Sequence, residues 1–137
     1  MKARILILLV CTLGSTACST VSPELGVRTR LRDLAGAQAI DCGRAASPVE
    51  VPGKSECATE ALNQKVPFFV QYQSTGTDAI TEEGLALDGH GKLSYVWTIS
   101  WSPLYRGKPS GKFSVNTCAG PPRKLSDAKL TCDFPLD

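Results

Sequence analysis

The chain has 137 residues, a length suited to one domain, and its 15 basic residues nearly balance its 13 acidic ones, for a net charge of +2. It has no basic stripe with interleaved aromatic residues, which excludes the usual pattern of a nucleic-acid-binding protein. It also lacks the ligand spacing of a metal centre, so we expect no metal, no cofactor and no nucleic-acid partner.

The first 17 residues have the three parts of a secretory signal peptide. Lys2 and Arg4 supply positive charge, residues 5–13 are mostly large and apolar, and small residues fill positions 14–17. The apolar run is too short for a membrane-spanning helix, which needs about 20 apolar residues. We therefore predict export and removal of residues 1–17. Removal takes two of the 15 basic residues, which leaves the mature chain with 13 basic and 13 acidic residues.

The small residues before Cys18 resemble the lipobox of bacterial lipoproteins. This resemblance implies cleavage before Cys18, a diacylglycerol on its thiol and acylation of the new amino group. Ser19 stands where an inner-membrane retention signal usually has Asp, which implies the outer membrane and a periplasm-facing domain. Ser15 stands where the family usually has an aliphatic residue, and residues 15–17 also suit an ordinary signal peptidase. The alternative is a soluble secreted or periplasmic protein.

The cysteines predict two disulfides. Of six cysteines, Cys11 leaves with the signal peptide and Cys18 takes the lipid. The four that remain are Cys42, Cys57, Cys118 and Cys132. An even number of cysteines in an exported chain is typical of disulfides, and four cysteines allow three pairings. We favour the sequential pairing because each pair then brackets a loop with few hydrophobic anchors.

The N-terminal part of the mature chain has weak helical patterns. Residues 18–40 are predicted to form a tether that contains a helix from about 24 to 38. Residues 41–56 contain two prolines and two glycines, which predicts a loop. Ser55 is then predicted to cap a second helix, from Glu56 to about Lys65.

From Phe68 onward the apolar period changes from near four to two, which predicts strands. The predicted strands are 68–73, 78–87, 93–101, one that starts at Phe113, and 129–134. A turn at 88–91 joins the second and third, and the third alternates so strictly that one of its faces is predicted to be buried and the other wet. The predicted fold is α+β, a small antiparallel meander of four to five strands with one or two short helices on one face. Disulfides staple it as a single domain over 41–137.

Few titratable residues lie in a pattern that is typical of catalysis. His90, the single histidine, lies in the predicted turn beside Asp88, and we interpret it as a solvated turn residue rather than a base. Asp78, Glu82 and Glu83 lie near one another in sequence. Paired carboxylates can hydrolyse sugars, but acids on a strand edge are more typical of a soluble surface. No catalytic residue is therefore assigned.

Several residues are candidates for contact with a partner. Arg28, Arg30 and Arg32 alternate near the anchor; they either touch anionic headgroups or form a solvated basic face, and we prefer the solvated face. Trp97 and Trp101 share a strand face and are assigned to the core rather than to a binding platform. The predicted contact residues are Leu104, Tyr105 and Arg106 in the loop 102–111, because exposed Tyr and Arg are enriched at interface hot spots.

The order Asp41-Cys42-Gly43, Cys57, Pro67-Phe68, Gly76-Thr77-Asp78 and a late cysteine pair resembles small uncharacterised lipoproteins of Gram-negative bacteria. The resemblance implies no activity. We therefore expect a non-enzymatic envelope lipoprotein that acts as a binding or structural module, attached to the membrane through Cys18 and open to an envelope protein partner. The alternative is a periplasmic inhibitor of an envelope hydrolase or lysozyme, in which the loop 102–111 plugs a cleft, and an enzyme is the third possibility.

Overall fold

A computed structural model describes residues 23–76, 79–101 and 113–135. Its helices and strands, in chain order, are α1 (Pro23–Ala35), β1 (Ile40–Ala45), α2 (Val51–Asn63), β2 (Phe68–Thr75), β3 (Ala79–Leu87), β4 (Leu93–Trp101), β5 (Ser114–Thr117), β6 (Arg123–Lys124) and β7 (Leu130–Thr131). The α+β class is confirmed, and the strand predicted at 93–101 matches β4 at both ends.

The main sheet has five strands in the order β1-β2-β3-β4-β5. The strands from β2 to β5 pair antiparallel, as the predicted meander requires. β1 lies parallel to β2, so the sheet is mixed rather than wholly antiparallel. The chain leaves β1, crosses over as α2 and returns as β2, and a crossover of this kind gives parallel neighbours.

All of β1 except Ile40 lies in the segment 41–56 that was predicted to be a loop, and that part of the prediction is wrong. The strand register shifts between Asp41 and Arg44, and Gly43 has a positive φ of 85°. The period-two pattern is therefore broken inside a strand of only six residues. Sequence periodicity has too few residues on either side of this irregularity to indicate a strand.

The two helices cover opposite faces of the sheet, and the prediction of one helical face is wrong. Val27 and Leu31 of α1 are fully buried in a cluster with Phe69, Ala86 and Val96. On the other side, α2 shares a larger core with strand residues, and its main members are Ala58, Ala61, Phe68, Val70, Tyr72, Leu85, Leu87, Leu93 and Tyr95. α1 lies in the segment 18–40 that was predicted to form a tether, and it packs on the sheet.

Two-sided burial also corrects the interpretation of β4. Its even positions were predicted to face water, yet Ser94, Val96 and Thr98 are 4%, 0% and 2% exposed. Val96 packs beneath α1, and the two polar residues flank it on the same side of the strand. Alternation indicated which side carries the larger apolar residues; it did not indicate that the other side is solvated.

Gly84 of β3 allows α1 to approach the sheet closely. A Cβ on Gly84 would lie 2.3 Å from the carbonyl oxygen of Val70 and 2.5 Å from Cδ1 of Leu31. No side chain fits at that distance from a backbone atom. The glycine therefore gives Leu31 its place against the middle of the sheet.

Two disulfides link the segments outside the main meander, and the sequential pairing is confirmed. Cys42 of β1 pairs with Cys57 of α2, and Cys118, just after β5, pairs with Cys132, just after β7. β7 pairs with β6 in a second sheet of two strands. The predicted closing strand at 129–134 is therefore shorter than expected, although Leu130 and Cys132 are buried in the core on the α2 side.

α2 begins five residues earlier than predicted. Val51 and Pro52 form its first turn, where proline is favoured because its missing N–H has no partner there. Ser55 is consequently inside the helix rather than at its cap. It is 1% exposed, and its hydroxyl lies 2.8 Å from the Tyr72 hydroxyl of β2.

Candidate functional site

Glu82 and Glu83 are interior residues of the central strand β3, and their interpretation as solvated acids on a strand edge is wrong. They are 2% and 8% exposed. Because they are adjacent in a strand, their side chains point to opposite faces of the sheet. They cannot flank one sugar as a catalytic pair. Asp78, the third acid of this set, lies outside the described residues.

Glu82 lies on the α1 side in a network of polar side chains. The Arg44 guanidinium of β1 pairs with its carboxylate, and the side chains of Arg44 and Glu82 are 18% and 3% exposed. The amide of Gln71 donates to the Glu82 carboxylate at 2.8 Å. Arg44 also donates to Oε1 of Gln73 at 2.9 Å. The buried carboxylate therefore has its counter-ion and further donors.

Glu83 lies on the α2 side and organises a second cluster. The Lys129 ammonium and the Tyr95 hydroxyl both donate to its carboxylate, and Ser74 Oγ donates at 3.3 Å. Burial raises the pKa of Tyr95 well above its usual range, and the Glu83 carboxylate raises it further. Tyr95 therefore keeps its hydroxyl proton and donates a hydrogen bond to Glu83. Neither buried acid is left as an uncompensated charge.

A pocket of about 290 Å³ opens beside the Glu83 cluster. Its wall is formed by Ala46, Pro48, Val51, Gln73, Ser74, Thr75, Asp127 and Lys129. The Lys129 ammonium at this wall is held by Glu83 and by Ser74 Oγ, at 3.3 Å from the hydroxyl. The pocket thus presents a lysine that is already paired.

His90 lies in the turn between β3 and β4 and is exposed, as predicted. The Asp88 carboxylate accepts backbone N–H groups from His90 and Lys92, both at 2.8 Å. These bonds, with that of Lys92 first, hold the pKa of Asp88 below its usual range. Asp88 shapes the turn through backbone groups of its neighbours.

Of the two tryptophans, only Trp97 has a side chain that the structure describes. Trp97 packs, partly buried, against the core on the α2 side, which agrees with its assignment to the core. The side chain of Trp101 lies outside the described residues, as do Cys18, Leu104, Tyr105 and Arg106. The lipid site and the predicted contact loop therefore stay predictions.

A partly apolar surface lies where the start of α1 meets β5. Leu25, Phe113 and Val115 are 55%, 39% and 39% exposed, high values for such side chains. The Phe113 ring rests on Gly26, where a Cβ would lie 2.2 Å from the ring's Cζ. Val115 pairs with Val96 and so points to the α1 side. The α1–β5 surface, as we name it, consists of Leu25, Gly26, Thr29, Arg30, Asp33, Phe113 and Val115; all but Val115 line a groove of about 520 Å³.

The three alternating arginines of α1 have different surroundings. Arg28 pairs with Asp41 of β1, and its guanidinium carbon lies 5.7 Å from the centre of the Phe69 ring. Arg30 and Arg32 are exposed, and Arg30 lines the groove. Arg28 thus links α1 to the sheet. Only Arg30 and Arg32 of the predicted basic face are exposed.

The α1–β5 surface was not predicted from the sequence. Its signal was a pair of local irregularities: Gly26 inside a predicted helix, and Phe113 directly before a short strand. A helical glycine often marks the close approach of another group. The identity of that group depends on the strand order, which no local pattern contains.

No known protein family, curated protein or solved structure matches this chain. Within residues 23–76, 79–101 and 113–135, no three metal-ligating side chains lie together. No helix in that part of the chain has the length and apolar character needed to cross a bilayer.

Proposed function

We propose that this protein is a non-enzymatic lipoprotein of the cell envelope that acts as a binding or structural module. A lipid on Cys18 anchors it in the outer membrane, and its domain faces the periplasm. The observation that carries the proposal is the pairing of cysteines. Cys42, Cys57, Cys118 and Cys132 pair with one another, so none of them competes for the thiol of Cys18.

The position of α1 also supports an anchor close to the domain. α1 begins at Pro23, five residues after Cys18. Five extended residues span at most about 18 Å, because an extended chain advances about 3.3–3.6 Å per residue. A lipid on Cys18 would therefore hold the domain at the membrane surface, where a binding module of the envelope would act.

The arrangement of the acids favours a binding role over hydrolysis. Glu82 and Glu83 face opposite sides of the sheet, and each is paired with a cation. An acid that is buried and paired with a cation is not exposed to a substrate, and removal of its partner is typically destabilising. The surfaces open to a partner are those formed by exposed side chains.

The intact mass of the mature protein tests the anchor. The full chain is expressed in Gram-negative cells, purified from membranes and weighed before and after reduction. We expect a polypeptide that starts at Cys18, is heavier by its acyl chains, and gains four hydrogens when its two disulfides are reduced. A mass equal to residues 18–137 without lipid would contradict the anchor.

Two cysteine variants provide matched controls for this measurement. Cys18→Ser should lose the added acyl mass and leave the membrane fraction or remain unprocessed. Cys11→Ser, seven residues earlier in the same segment, should keep the acyl mass. Equal behaviour of the two variants would contradict the assignment of Cys18.

Cross-linking in whole cells, followed by mass spectrometry, tests the role of the domain. A structural envelope protein cross-linked to it supports the proposed module. A hydrolase or lysozyme partner whose activity falls when the purified domain is added would instead support the inhibitor, the alternative predicted from the loop 102–111.

A further inference from the structure

We propose that the α1–β5 surface lies against the phospholipid bilayer, so that this surface and the lipid on Cys18 together fix how the domain is oriented on the membrane. The inference rests on the proposed anchor. It adds a second, non-covalent contact with the membrane, made by side chains of the folded domain. The chemistry recognised is that of a bilayer interface, which is apolar inside and anionic at the phosphates.

The chain that leads out of the folded domain ends at this surface. Leu25 and Gly26, in the first turn of α1, both line the groove. A lipid on Cys18 would keep the bilayer within about 18 Å of the helix start, because five residues extend no further. The α1–β5 surface is therefore near the membrane in every conformation of the tether.

Among the side chains of α1 that line the groove, the order along the helix axis matches the layers of a bilayer interface. Leu25, at the start, is apolar and 55% exposed. Arg30 lies about 7 Å further along the axis and Asp33 about 12 Å further, at about 1.5 Å per residue. Acyl chains, phosphates and water follow one another in the same order when the start of α1 points into the interface. The guanidinium then lies at the level of anionic headgroups, which attract it.

The apolar part of the surface continues from α1 onto β5. Phe113 packs on Gly26 with 39% of its area still exposed, and Val115 is 39% exposed on the same side of the sheet. Apolar side chains of α1 and of the chain at β5 are thus exposed on the same side of the sheet. Contact with acyl chains removes these side chains from water at no cost in conformational change, because they are already exposed in the folded domain.

Fluorescence quenching by brominated lipids tests the orientation. The lipidated full chain, purified from membranes, is reconstituted into vesicles of phosphatidylethanolamine and phosphatidylglycerol with brominated acyl chains. Phe113→Trp places a reporter in the surface, and Val49→Trp is the matched control. Val49 is 89% exposed, in the loop that leads into α2 on the opposite face of the sheet. The native tryptophans are identical in both variants.

We expect quenching at position 113 to exceed that at position 49 by roughly twofold or more, because an interfacial apolar face is buried about 5–10 Å into the acyl boundary. A larger ring at 113 can disturb its contact with Gly26, so Val115→Trp serves as the second reporter and should behave in the same way. Equal quenching at 49, 113 and 115 in vesicle-bound protein would overturn the orientation and leave the anchor standing.

Flotation of the vesicles separates the two possible failures. Protein that does not float with the vesicles and carries no acyl mass overturns the proposed anchor, and with it the orientation that rests on it. Protein that floats has an intact anchor. The ratio of quenching at position 113 to that at position 49 then tests only the orientation of the α1–β5 surface. With phosphatidylglycerol present, Arg30→Gln should reduce the ratio, and no reduction would overturn the role given to this arginine.

Discussion

Glu83 joins Lys129 and Tyr95 in a buried cluster that depends on its charge. The side chains of Glu83 and Lys129 are only 10% and 14% exposed. Glu83→Gln would leave the Lys129 ammonium in a poorly solvated place without its counter-ion. We expect the free energy of unfolding to fall by about 3 kcal/mol, the size typical when one partner of a buried pair is removed. Urea denaturation at neutral pH measures it.

The control for this prediction is Glu56→Gln, the same chemical change at an exposed position of α2. Substitutions at exposed positions usually change stability by less than about 0.5 kcal/mol. If both variants unfold at the wild-type urea concentration, the cluster on the α2 side contributes nothing and our account of Glu83 is wrong.

Replacement by alanine should change the free energy of unfolding in opposite directions at Gly84 and Gly53. A Cβ at Gly84 meets the Val70 carbonyl oxygen at 2.3 Å, whereas a Cβ at Gly53, in the first turn of α2, meets nothing within 4 Å. We expect Gly84→Ala to lower the free energy of unfolding by about 1–3 kcal/mol through overpacking. Gly53→Ala should raise it by up to about 0.5–1 kcal/mol, because alanine restricts the unfolded chain. Thermal unfolding of the pair gives both signs, and a stabilised Gly84→Ala would contradict the close approach of α1.

At the level of elements, a strand was predicted from the sequence when a long part of it follows the period-two pattern without interruption. β4 has nine residues in strict alternation, and its two ends were predicted correctly. β1 has six, interrupted by a register shift and by Gly43, and it was predicted to be a loop. Periodicity detects an element only when the regular part is longer than the irregularity.

The buried acids escaped prediction for a different reason. The cations that pair with Glu82 and Glu83 are Arg44, 38 residues before, and Lys129, 46 residues after. No local pattern links positions so far apart. The acids were therefore predicted to be solvated, as acids on an exposed strand edge usually are. Only the strand order shows that β3 lies in the centre of the sheet.

The disulfides were predictable because the four cysteines beyond residue 40 allow only three pairings. Each disulfide staples a distinct pair of elements. Cys42–Cys57 ties β1 to α2, and Cys118–Cys132 ties the segment after β5 to the segment after β7. We expect replacement of either pair by alanine to lower stability by about 3 kcal/mol, from the lost restriction of a loop of about 15 residues. Hydrogen exchange should locate the loss. The β1 amides should lose protection when Cys42 and Cys57 are replaced, and the β7 amides when Cys118 and Cys132 are replaced.

The two double variants are controls for each other in that experiment. Both lose one disulfide of nearly equal loop length, 15 and 14 residues. A loss of protection spread evenly over the sheet in both variants would contradict the local stapling and indicate a single cooperative unit instead.

At the scale of the whole molecule, the central strands are buried on both faces, and this places two tyrosine hydroxyls in the interior. Burial raises the pKa of Tyr95 and of Tyr72 above the usual value near 10. Above about pH 10 the unfolded chain therefore loses protons that the folded chain keeps. The folded state binds more protons, so its stability is fully present below about pH 10 and falls as the pH rises above it, by about 1.4 kcal/mol per pH unit for each such tyrosine.

Tyr95→Phe and Tyr72→Phe should each remove one contribution to this alkaline slope. Tyr95→Phe also takes a donor from Glu83, and Tyr72→Phe takes the partner of Ser55, so each variant is less stable at neutral pH. The slope of stability against pH, rather than its absolute value, is therefore the measurement, taken from urea midpoints between about pH 9 and pH 11.5. Wild-type protein should show the steepest decline and each phenylalanine variant a shallower one. Equal slopes in all three proteins would show that these hydroxyls titrate alike in the folded and unfolded chains, and the two-sided burial of the sheet would not protect them from water.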